Sequence, residues 1–318
     1  MMRKKTSLKF LIAIIFFFFL PCIASAESAN IKEEFRTGLA ITMSPVTFEL
    51  TADPGDVVSN VIKVSNPSEN SIGVRMDAED FVAVGETGKV AVLEEENETY
   101  SLKKWITTYP EYFVLGPGEA KVINFSINVP HNAEPGGHYA SVLSVVTADT
   151  GPGSGSAITQ KVGALVLLSV SGEVREELII KEFSAPKFME RGPVPLVIRF
   201  ENIGSVHVRP IGFVSISNSG GEKIDDIAFP QKNILPGAKR KLEVTWDKKF
   251  LFGKYTADLV GSYGNSLNNK PIFASIEFWV IPWKIMSVII LSGLLIIVFL
   301  CRFRNRIYLA LRILIKGK

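Results

Sequence analysis

Between residues 39 and 280, apolar residues alternate with polar ones in short runs and do not recur at a helical spacing. A period of two places every other side chain on the same face of a strand, and Gly, Pro, Asn and Asp cluster between the runs as they do in turns. Runs separated by turns about every 8–12 residues predict an all-β fold of the sandwich type. The clearest runs are Val57–Val64, Val122–Val129, Tyr139–Val146, Leu196–Phe200, Phe213–Ile216 and Lys241–Trp246.

One run differs from the others because it is almost entirely apolar. Val162–Val170 reads VGALVLLSV, which is typical of a strand buried on both faces and is too short to span a membrane. We expect it to close a first domain after a long hairpin loop formed by the Gly/Ser-rich stretch Thr150–Ser156. The domain boundary then falls near residues 174–180.

The chain also contains an internal repeat. In each half, a strand ends at an Asn, a later strand starts after a Pro-Gly turn, and a Gly-x-Tyr strand follows, in the same order. The matching positions are Asn66 and Asn202, Pro117-Gly118 and Pro236-Gly237, and Gly137-His138-Tyr139 and Gly253-Lys254-Tyr255. We therefore predict two tandem immunoglobulin-like β-sandwiches, residues 39–176 and 177–280.

The C-terminal region has the pattern of a membrane anchor. Residues 285–301 contain no charge and no Pro, and only basic charges follow them. This pattern predicts a transmembrane helix at 281–301 and a cytoplasmic basic tail at 302–318, part of which has an apolar face suited to the inner membrane surface. The predicted membrane-interface anchors are Trp279, Trp283, Lys284, Arg302, Arg304 and Arg306.

The N-terminal region predicts export. A basic segment, an apolar stretch with four consecutive Phe residues, and the small-residue site Ala24-Ser25-Ala26 together form the pattern of a signal peptide, residues 1–26. We therefore expect a single-pass cell-membrane protein whose N-terminal domains are extracellular or periplasmic and whose C-terminus is cytoplasmic.

Charge and cysteine usage agree with this topology. All 32 acids fall within residues 27–283, whereas four of the 35 bases precede this region and seven follow it, leaving 24 bases and a formal charge of −8. A nucleic-acid partner is therefore not expected. Both cysteines, Cys22 and Cys301, lie in apolar targeting or membrane segments, so the exported part contains no disulfide.

Candidate catalytic and metal-binding groups are sparse in the sequence. The three histidines, His131, His138 and His207, have no zinc-ligand spacing, and no G-x-S-x-G motif occurs. The acidic clusters lack the spacing of a calcium loop, and His138 is expected to have a structural role. We predict no enzyme activity, no catalytic or metal site and no cofactor.

An aromatic segment, Tyr100–Phe113, is the most distinctive candidate for binding. Trp105 is expected to fill the core between the sheets, as a large aromatic residue often does in this fold class. Tyr109 and Tyr112 are the candidate ligand-binding residues, because tyrosine rings on a sandwich surface can stack on a glycan.

Several motifs of the first half resemble one family. They are Pro45–Phe48, the turn Asp53-Pro54-Gly55, the stretch VIKVSNPSENSIGVRMDAEDF, Trp105-Ile106, Val114–Glu119, INVPHNAEPGGHYASVLSV and VGALVLLSVSGEV. Together they resemble the peptidoglycan-binding domain of WxL-interacting proteins of Gram-positive surfaces. That resemblance implies a signal peptide, this domain, a second β domain called host-binding, one membrane helix and a basic tail.

These observations predict a binding protein. We expect a membrane-anchored extracellular protein that engages peptidoglycan or another cell-wall polymer, other surface proteins, or both. The alternative is an envelope assembly chaperone or accessory subunit that uses the edge strands of its sandwiches.

Overall fold

The computed structural model describes residues 41–93, 99–148, 158–264 and 269–316. Within them it confirms the predicted fold class: two immunoglobulin-like β-sandwiches followed by one C-terminal α-helix. The predicted signal peptide, residues 1–26, and the Gly/Ser-rich stretch, residues 150–156, lie outside the described residues.

The first sandwich is formed by ten strands of the described residues. They are β1 (Thr42–Ser44), β2 (Thr47–Ala52), β3 (Val57–Ser65), β4 (Ile72–Val84), β5 (Lys89–Val92), β6 (Ile106–Tyr109), β7 (Tyr112–Leu115), β8 (Ala120–Asn128), β9 (Gly136–Ala148) and β10 (Ile158–Val170). One sheet has the order β1-β3-β8-β6, and the other has the order β2-β10-β9-β4-β5, with β7 also paired to β4. Pairing is antiparallel except between β2 and β10.

The second sandwich is formed by eight strands of the described residues. They are β11 (Leu178–Ser184), β12 (Phe188–Met189), β13 (Val194–Asn202), β14 (Ile211–Asn218), β15 (Lys223–Ala228), β16 (Lys239–Trp246), β17 (Gly253–Tyr263) and β18 (Lys270–Val280). Its sheets have the orders β11-β13-β16 and β12-β18-β17-β14-β15.

Each sandwich has its own core, built by the alternation visible in the sequence. On β8, for example, Ile123, Phe125 and Ile127 are buried while the residues between them face outward. In the second core, Trp246 is fully buried and its ring contacts those of Tyr255 and Phe278.

Strand β10 is buried on both of its faces, as its apolar sequence predicts. Val166 and Leu168 lie in the first core, whereas Leu167 points the other way, into a small cluster with Phe81 and Tyr139. Leu235 of the second sandwich packs against that cluster. The second sandwich therefore supplies the cover for the outer face of this strand.

The internal repeat appears in the structure as a repeated hydrogen-bond pattern around Asn66 and Asn202, which are both fully buried. Each side-chain oxygen accepts a bond from the N–H two residues on, and each side-chain amide donates to the carbonyl four residues on and to a carbonyl near the Pro-Gly turn. The partners are Ser68, Asn70 and Leu115 for Asn66, and Gly204, Val206 and Ile234 for Asn202. The backbone carbonyls of the two Asn residues accept bonds from Gly118 and Gly237.

Two residues separate the end of β18 from the C-terminal helix α1 (Trp283–Lys316). Its segment Trp283–Arg304 is long and apolar enough to cross a membrane, with a mean hydropathy of 2.6. The same helix continues without a break through residues 305–316, which make up most of the predicted tail. Its 34 residues correspond to about 51 Å of length.

Candidate functional site

A shallow groove of about 400 Å³ lies on the outer face of the four-stranded sheet of the first sandwich. The register of β3, β8 and β6 aligns six outward-facing residues in two rows across the strands. The rows are Ser59, Ser126 and Thr107, and Val61, Asn124 and Tyr109. Tyr109 ends β6 with its side chain 78% exposed, so its ring stands at one side of the groove.

The groove offers neutral hydrogen-bonding groups beside an aromatic ring. The lining residues that the structure describes include no charged side chain. The hydroxyls of Thr107 and Ser126 lie 2.7 Å apart, and each keeps capacity for another hydrogen bond. Hydroxyl and amide groups next to an exposed tyrosine ring suit a ligand that is itself rich in hydroxyls and has a flat apolar face.

Tyr112, the second candidate, belongs to the other sheet. It begins β7, which pairs with β4, and its side chain is 65% exposed. Its hydroxyl lies over Gly73, 2.8 Å from where a Cβ at that glycine would stand. The structure therefore does not bring Tyr112 into the groove that Tyr109 lines, and the binding role of each tyrosine stays a prediction.

Trp105 packs against the first core, as expected, but it lies at the edge of that core and does not fill its centre. It is half-buried, and its ring centroid is 4.4 Å from that of His138. The two ring nitrogens of His138 lie 3.1 and 3.0 Å from the carbonyl oxygens of Ser101 and Glu134. These contacts are those of a structural histidine, as the sequence analysis expects.

A buried carboxylate positions the segment that leads into β6. Asp80 accepts hydrogen bonds from the backbone N–H groups of Leu102 and Lys103, both at 3.0 Å, and from the hydroxyl of Ser101 at 2.7 Å. Hydrogen bonds to a charged group are stronger than neutral ones. Asp80 therefore fixes the chain just before the strand that ends at Tyr109.

The two sandwiches contact each other through a polar cluster around Tyr139 and His207. The Tyr139 hydroxyl accepts a 2.8 Å hydrogen bond from the His207 backbone N–H and lies 3.3 Å from His207 Nδ1. Burial raises the pKa of Tyr139 and lowers the pKa of His207 to about 4. Further contacts are Gly137 N to Ser205 O (2.9 Å), Lys241 N to Glu86 O (2.8 Å) and the Arg199–Glu86 ion pair (2.7 Å).

Beside this contact is a cleft of about 310 Å³ between the sandwiches. Its apolar lining comes from Phe81, Leu165, Leu167 and Leu235, and its basic lining from Arg209, Lys232, Lys239 and Arg240. Strands β2, β5 and β16, each at the edge of its sheet, contribute residues to the walls.

Two of the cleft's arginines differ in their partners. Arg209 forms an ion pair with Glu49, which also accepts a 2.6 Å hydrogen bond from Asn233. The buried Nε of Arg240 has no hydrogen-bond partner among the described residues, and burial lowers the pKa of this guanidinium. Among the described residues, the Nε–H of Arg240 is therefore a donor in the cleft that no other group uses.

The predicted interface anchors lie around the start and end of the apolar helix segment. Trp279 is the penultimate residue of β18 and has an exposed ring, and Trp283 begins α1. The Lys284 ammonium lies 2.6 Å from a carboxylate oxygen of Glu190. Arg302 and Arg304 are exposed on the helix, and Arg306 lies where the structure describes no side chains.

Comparisons with known proteins find similarity of structure only. No protein-family model and no curated protein matches the chain. The class 5 fimbriae chaperone CfaA is similar, with a TM-score of 0.40 and 14% identity over 74% of this chain and 98% of that one. The YadV chaperone is also similar, with a TM-score of 0.37 and 11% identity over 74% of this chain and 99% of that one. The Salmonella enterica SafA pilin in complex with the SafB chaperone has a TM-score of 0.34 and 10% identity over 74% of this chain and 96% of that one. Similarity of this size gives no argument about function.

Most of the groove and all of the cleft are absent from what the sequence predicts. The alternation in Val122–Val129 does place Asn124 and Ser126 on one exposed face, which is a usable signal. Their alignment with Tyr109 depends on the pairing of β6 with β8, which no local pattern reveals. Arg240 gives no signal in the sequence, because its surroundings come from both sandwiches.

Proposed function

We propose that the chain is a membrane-anchored binding protein whose first sandwich holds the glycan of a cell-wall polymer in the groove beside Tyr109. The helix α1 anchors it, with both sandwiches on the outer side of the membrane and the basic C-terminal end in the cytoplasm. The resemblance to WxL-interacting proteins points to peptidoglycan as the polymer. We propose binding without catalysis.

The observation that carries this proposal is the combination of neutral polar groups and one exposed aromatic ring on a flat sheet face. A polysaccharide presents hydroxyls at the edges of its sugar rings and C–H groups on their faces. The hydroxyl and amide groups of the groove can hydrogen-bond to the sugar hydroxyls, and the Tyr109 ring can stack on the C–H groups of a sugar face. Anchoring at the membrane also raises the local concentration of the groove near the wall, so a weak single contact is sufficient.

The test is co-sedimentation of the full-length protein, in detergent micelles, with purified peptidoglycan sacculi. We expect Tyr109→Ala to weaken binding about tenfold, the loss of roughly 1.4 kcal/mol that stacking on one ring supplies. The matched control is Phe273→Ala, which removes a ring that is 68% exposed on the second sandwich and is expected to leave binding unchanged. Binding that is unchanged in Tyr109→Ala would overturn the proposal.

A second candidate function rests on the cleft between the sandwiches. Three edge strands reach the cleft, and an edge strand can pair with an extended segment of another protein. The unpartnered Arg240 is suited to hold a carboxylate of that segment. An assembly chaperone or accessory subunit acting on surface proteins would use the chain in this way.

The two candidates are separated by a peptide probe. A short apolar fluorescent peptide is titrated onto the full-length protein in micelles, once with a free C-terminal carboxylate and once amidated. The chaperone candidate predicts that the free acid binds more tightly and that Arg240→Gln removes the difference. Equal binding of the two peptides to the unmodified protein would exclude a carboxylate-binding cleft.

A further inference from the structure

The end of the second sandwich next to α1 exposes an unusual number of aromatic rings. Phe250 is 94% exposed and Phe252 is 66% exposed, both in the loop between β16 and β17. Three further exposed rings lie around the start of α1. Trp279 and Trp283 are close to it in sequence, and Phe188 pairs with Trp279 between β12 and β18. Scattered exposed apolar residues are common on soluble proteins, but a group at one end of a domain marks an interaction surface.

Contacts on both sides hold the loop between β16 and β17 in place, and they fix Phe250 and Phe252 in outward-facing positions. Between them Leu251 is buried in the second core. The Tyr255 hydroxyl accepts a 3.1 Å hydrogen bond from the Phe252 N–H. On the other side, the backbone of Gly192 passes so close to the Lys248 carbonyl that a Cβ there would lie 1.8 Å from it. The exposure of Phe250 and Phe252 is therefore a property of an anchored loop.

This end of the sandwich is also tied to the start of the helix. Only two residues separate β18 from α1. Strand β12 pairs with the end of β18, the Ile281 N–H donates a 2.8 Å hydrogen bond to the Met189 carbonyl, and Lys284 forms an ion pair with Glu190. The helix therefore leaves the sandwich directly, without a flexible linker.

A groove of about 710 Å³ joins the loop to the first turn of the helix. It is lined by Phe250 and Phe252 on the loop, by Pro282 and Ile285 at the helix start, and by Arg191. The loop thus lies beside the point where the apolar helix begins. Lys248 and Lys249 precede the phenylalanines in the loop, so positive charges flank the exposed rings.

We propose that the loop Asp247–Phe252 is a membrane-contacting element, which inserts Phe250 and Phe252 into the interfacial layer of the leaflet that α1 enters. Aromatic rings favour the headgroup layer, and lysine and arginine side chains reach the lipid phosphates from the same depth. The partner is the bilayer surface itself, because the loop and the first turn of the membrane helix line one groove and the lysines Lys248 and Lys249 complement lipid phosphate. The second sandwich consequently rests on the membrane and holds the first at a fixed distance from it.

This inference rests on the membrane anchoring in the proposed function, so the experiment reports on both. The full-length protein, with Cys22→Ala and Cys301→Ser, is placed in vesicles of phosphatidylcholine and phosphatidylglycerol. A single environment-sensitive fluorophore is attached at Phe250→Cys, at Leu291→Cys within the helix, or at Phe273→Cys. Phe273 is the matched control, because it is an exposed ring seven residues before the end of β18, about 23 Å along the strand.

Quenching by nitroxide lipids then measures depth. We expect shallow nitroxides to quench the Phe250→Cys label at least twofold more than the Phe273→Cys label. The emission of the Phe250→Cys label is also expected to be blue-shifted, and that of the Phe273→Cys label is not. The Leu291→Cys label is expected to be quenched by nitroxides deep in the acyl chains. A Phe250→Cys label as exposed to water as the Phe273→Cys label, with Leu291→Cys quenched, would overturn the membrane-contacting loop and leave the anchor intact. An unquenched Leu291→Cys label would overturn the anchor and with it this inference.

Discussion

The hydroxyl of Tyr139 in the first sandwich accepts a hydrogen bond of 2.8 Å from the backbone N–H of His207 in the second. Tyr139 is almost completely buried, and its ring also contacts those of Phe81 and Tyr100. One side chain therefore joins the two sandwiches through both packing and a directed hydrogen bond. The cleft lined by Arg240 lies next to this contact, so its shape depends on the same residues.

Removing the Tyr139 hydroxyl is expected to destabilise the protein. Tyr139→Phe keeps the ring but leaves the His207 N–H without its acceptor in a buried place, which costs about 1–3 kcal/mol. Urea unfolding in micelles, followed by tryptophan fluorescence, measures the change in the free energy of unfolding. The control is Tyr112→Phe, which removes an exposed hydroxyl and is expected to cost less than about 0.5 kcal/mol. Equal effects of the two substitutions would contradict a structural role for the Tyr139 hydroxyl.

Stability is expected to fall with acidification because of His207. Burial lowers its pKa to about 4 from an unfolded value of 6.5, so the unfolded chain binds a proton that the folded chain does not. The contribution of His207 to the free energy of unfolding is therefore constant above about pH 6.5. Between about pH 6.5 and pH 4 the free energy of unfolding falls progressively, by up to about 3 kcal/mol.

The corresponding variant is His207→Gln, which does not titrate. Unfolding free energies measured at intervals between pH 7 and pH 4 should decline less steeply for His207→Gln than for the unmodified protein. Asn128→Ala, an exposed substitution that leaves His207 in place, is the control, and its pH profile should follow that of the unmodified protein. Parallel profiles for the unmodified protein and His207→Gln would show that His207 does not carry the pH dependence.

The repeated hydrogen-bond pattern around Asn66 and Asn202 gives a prediction about stability. Asn202→Ala leaves the Gly204 N–H and the Val206 and Ile234 carbonyls without their side-chain partner. Since the site is fully buried, we expect a loss of about 2–4 kcal/mol in the free energy of unfolding, and a similar loss for Asn66→Ala. Asn128→Ala, at an exposed position on β8, is the control and should change the value by less than about 0.5 kcal/mol. A small effect at Asn202 would mean that water replaces its amide group.

The contrast between these residues shows what a sequence can reveal. The two Asn motifs and the strand alternation are local, so both the repeat and the all-β fold are predictable from the sequence. The half-buried position of Trp105 was missed, because His138 lies on a strand 33 residues away along the chain and its packing depends on tertiary structure. The cleft and the Tyr139–His207 contact were missed for the same reason: each needs both sandwiches placed together. The uncharged lining of the groove was only partly visible, since strand register decides which side chains become neighbours.

The response to salt distinguishes the two candidate binding sites. Within the described part of the chain, the groove beside Tyr109 has no charged residue in its lining. The cleft, in contrast, is lined by Arg240, whose Nε has no hydrogen-bond partner there. Raising the salt concentration from 0.1 to 1 M shortens the screening length from about 10 Å to about 3 Å and weakens charge-dependent binding. We therefore expect binding to sacculi to change less than about twofold over this range, measured by co-sedimentation of the full-length protein.

Thr107→Val, which replaces a groove hydroxyl with a methyl group of the same shape, should weaken binding several-fold at both salt concentrations. Thr256→Val, on the second sandwich, is the control for the same chemical change. Binding that falls tenfold or more in 1 M salt and is indifferent to Thr107→Val would assign the interaction to charged groups outside the groove.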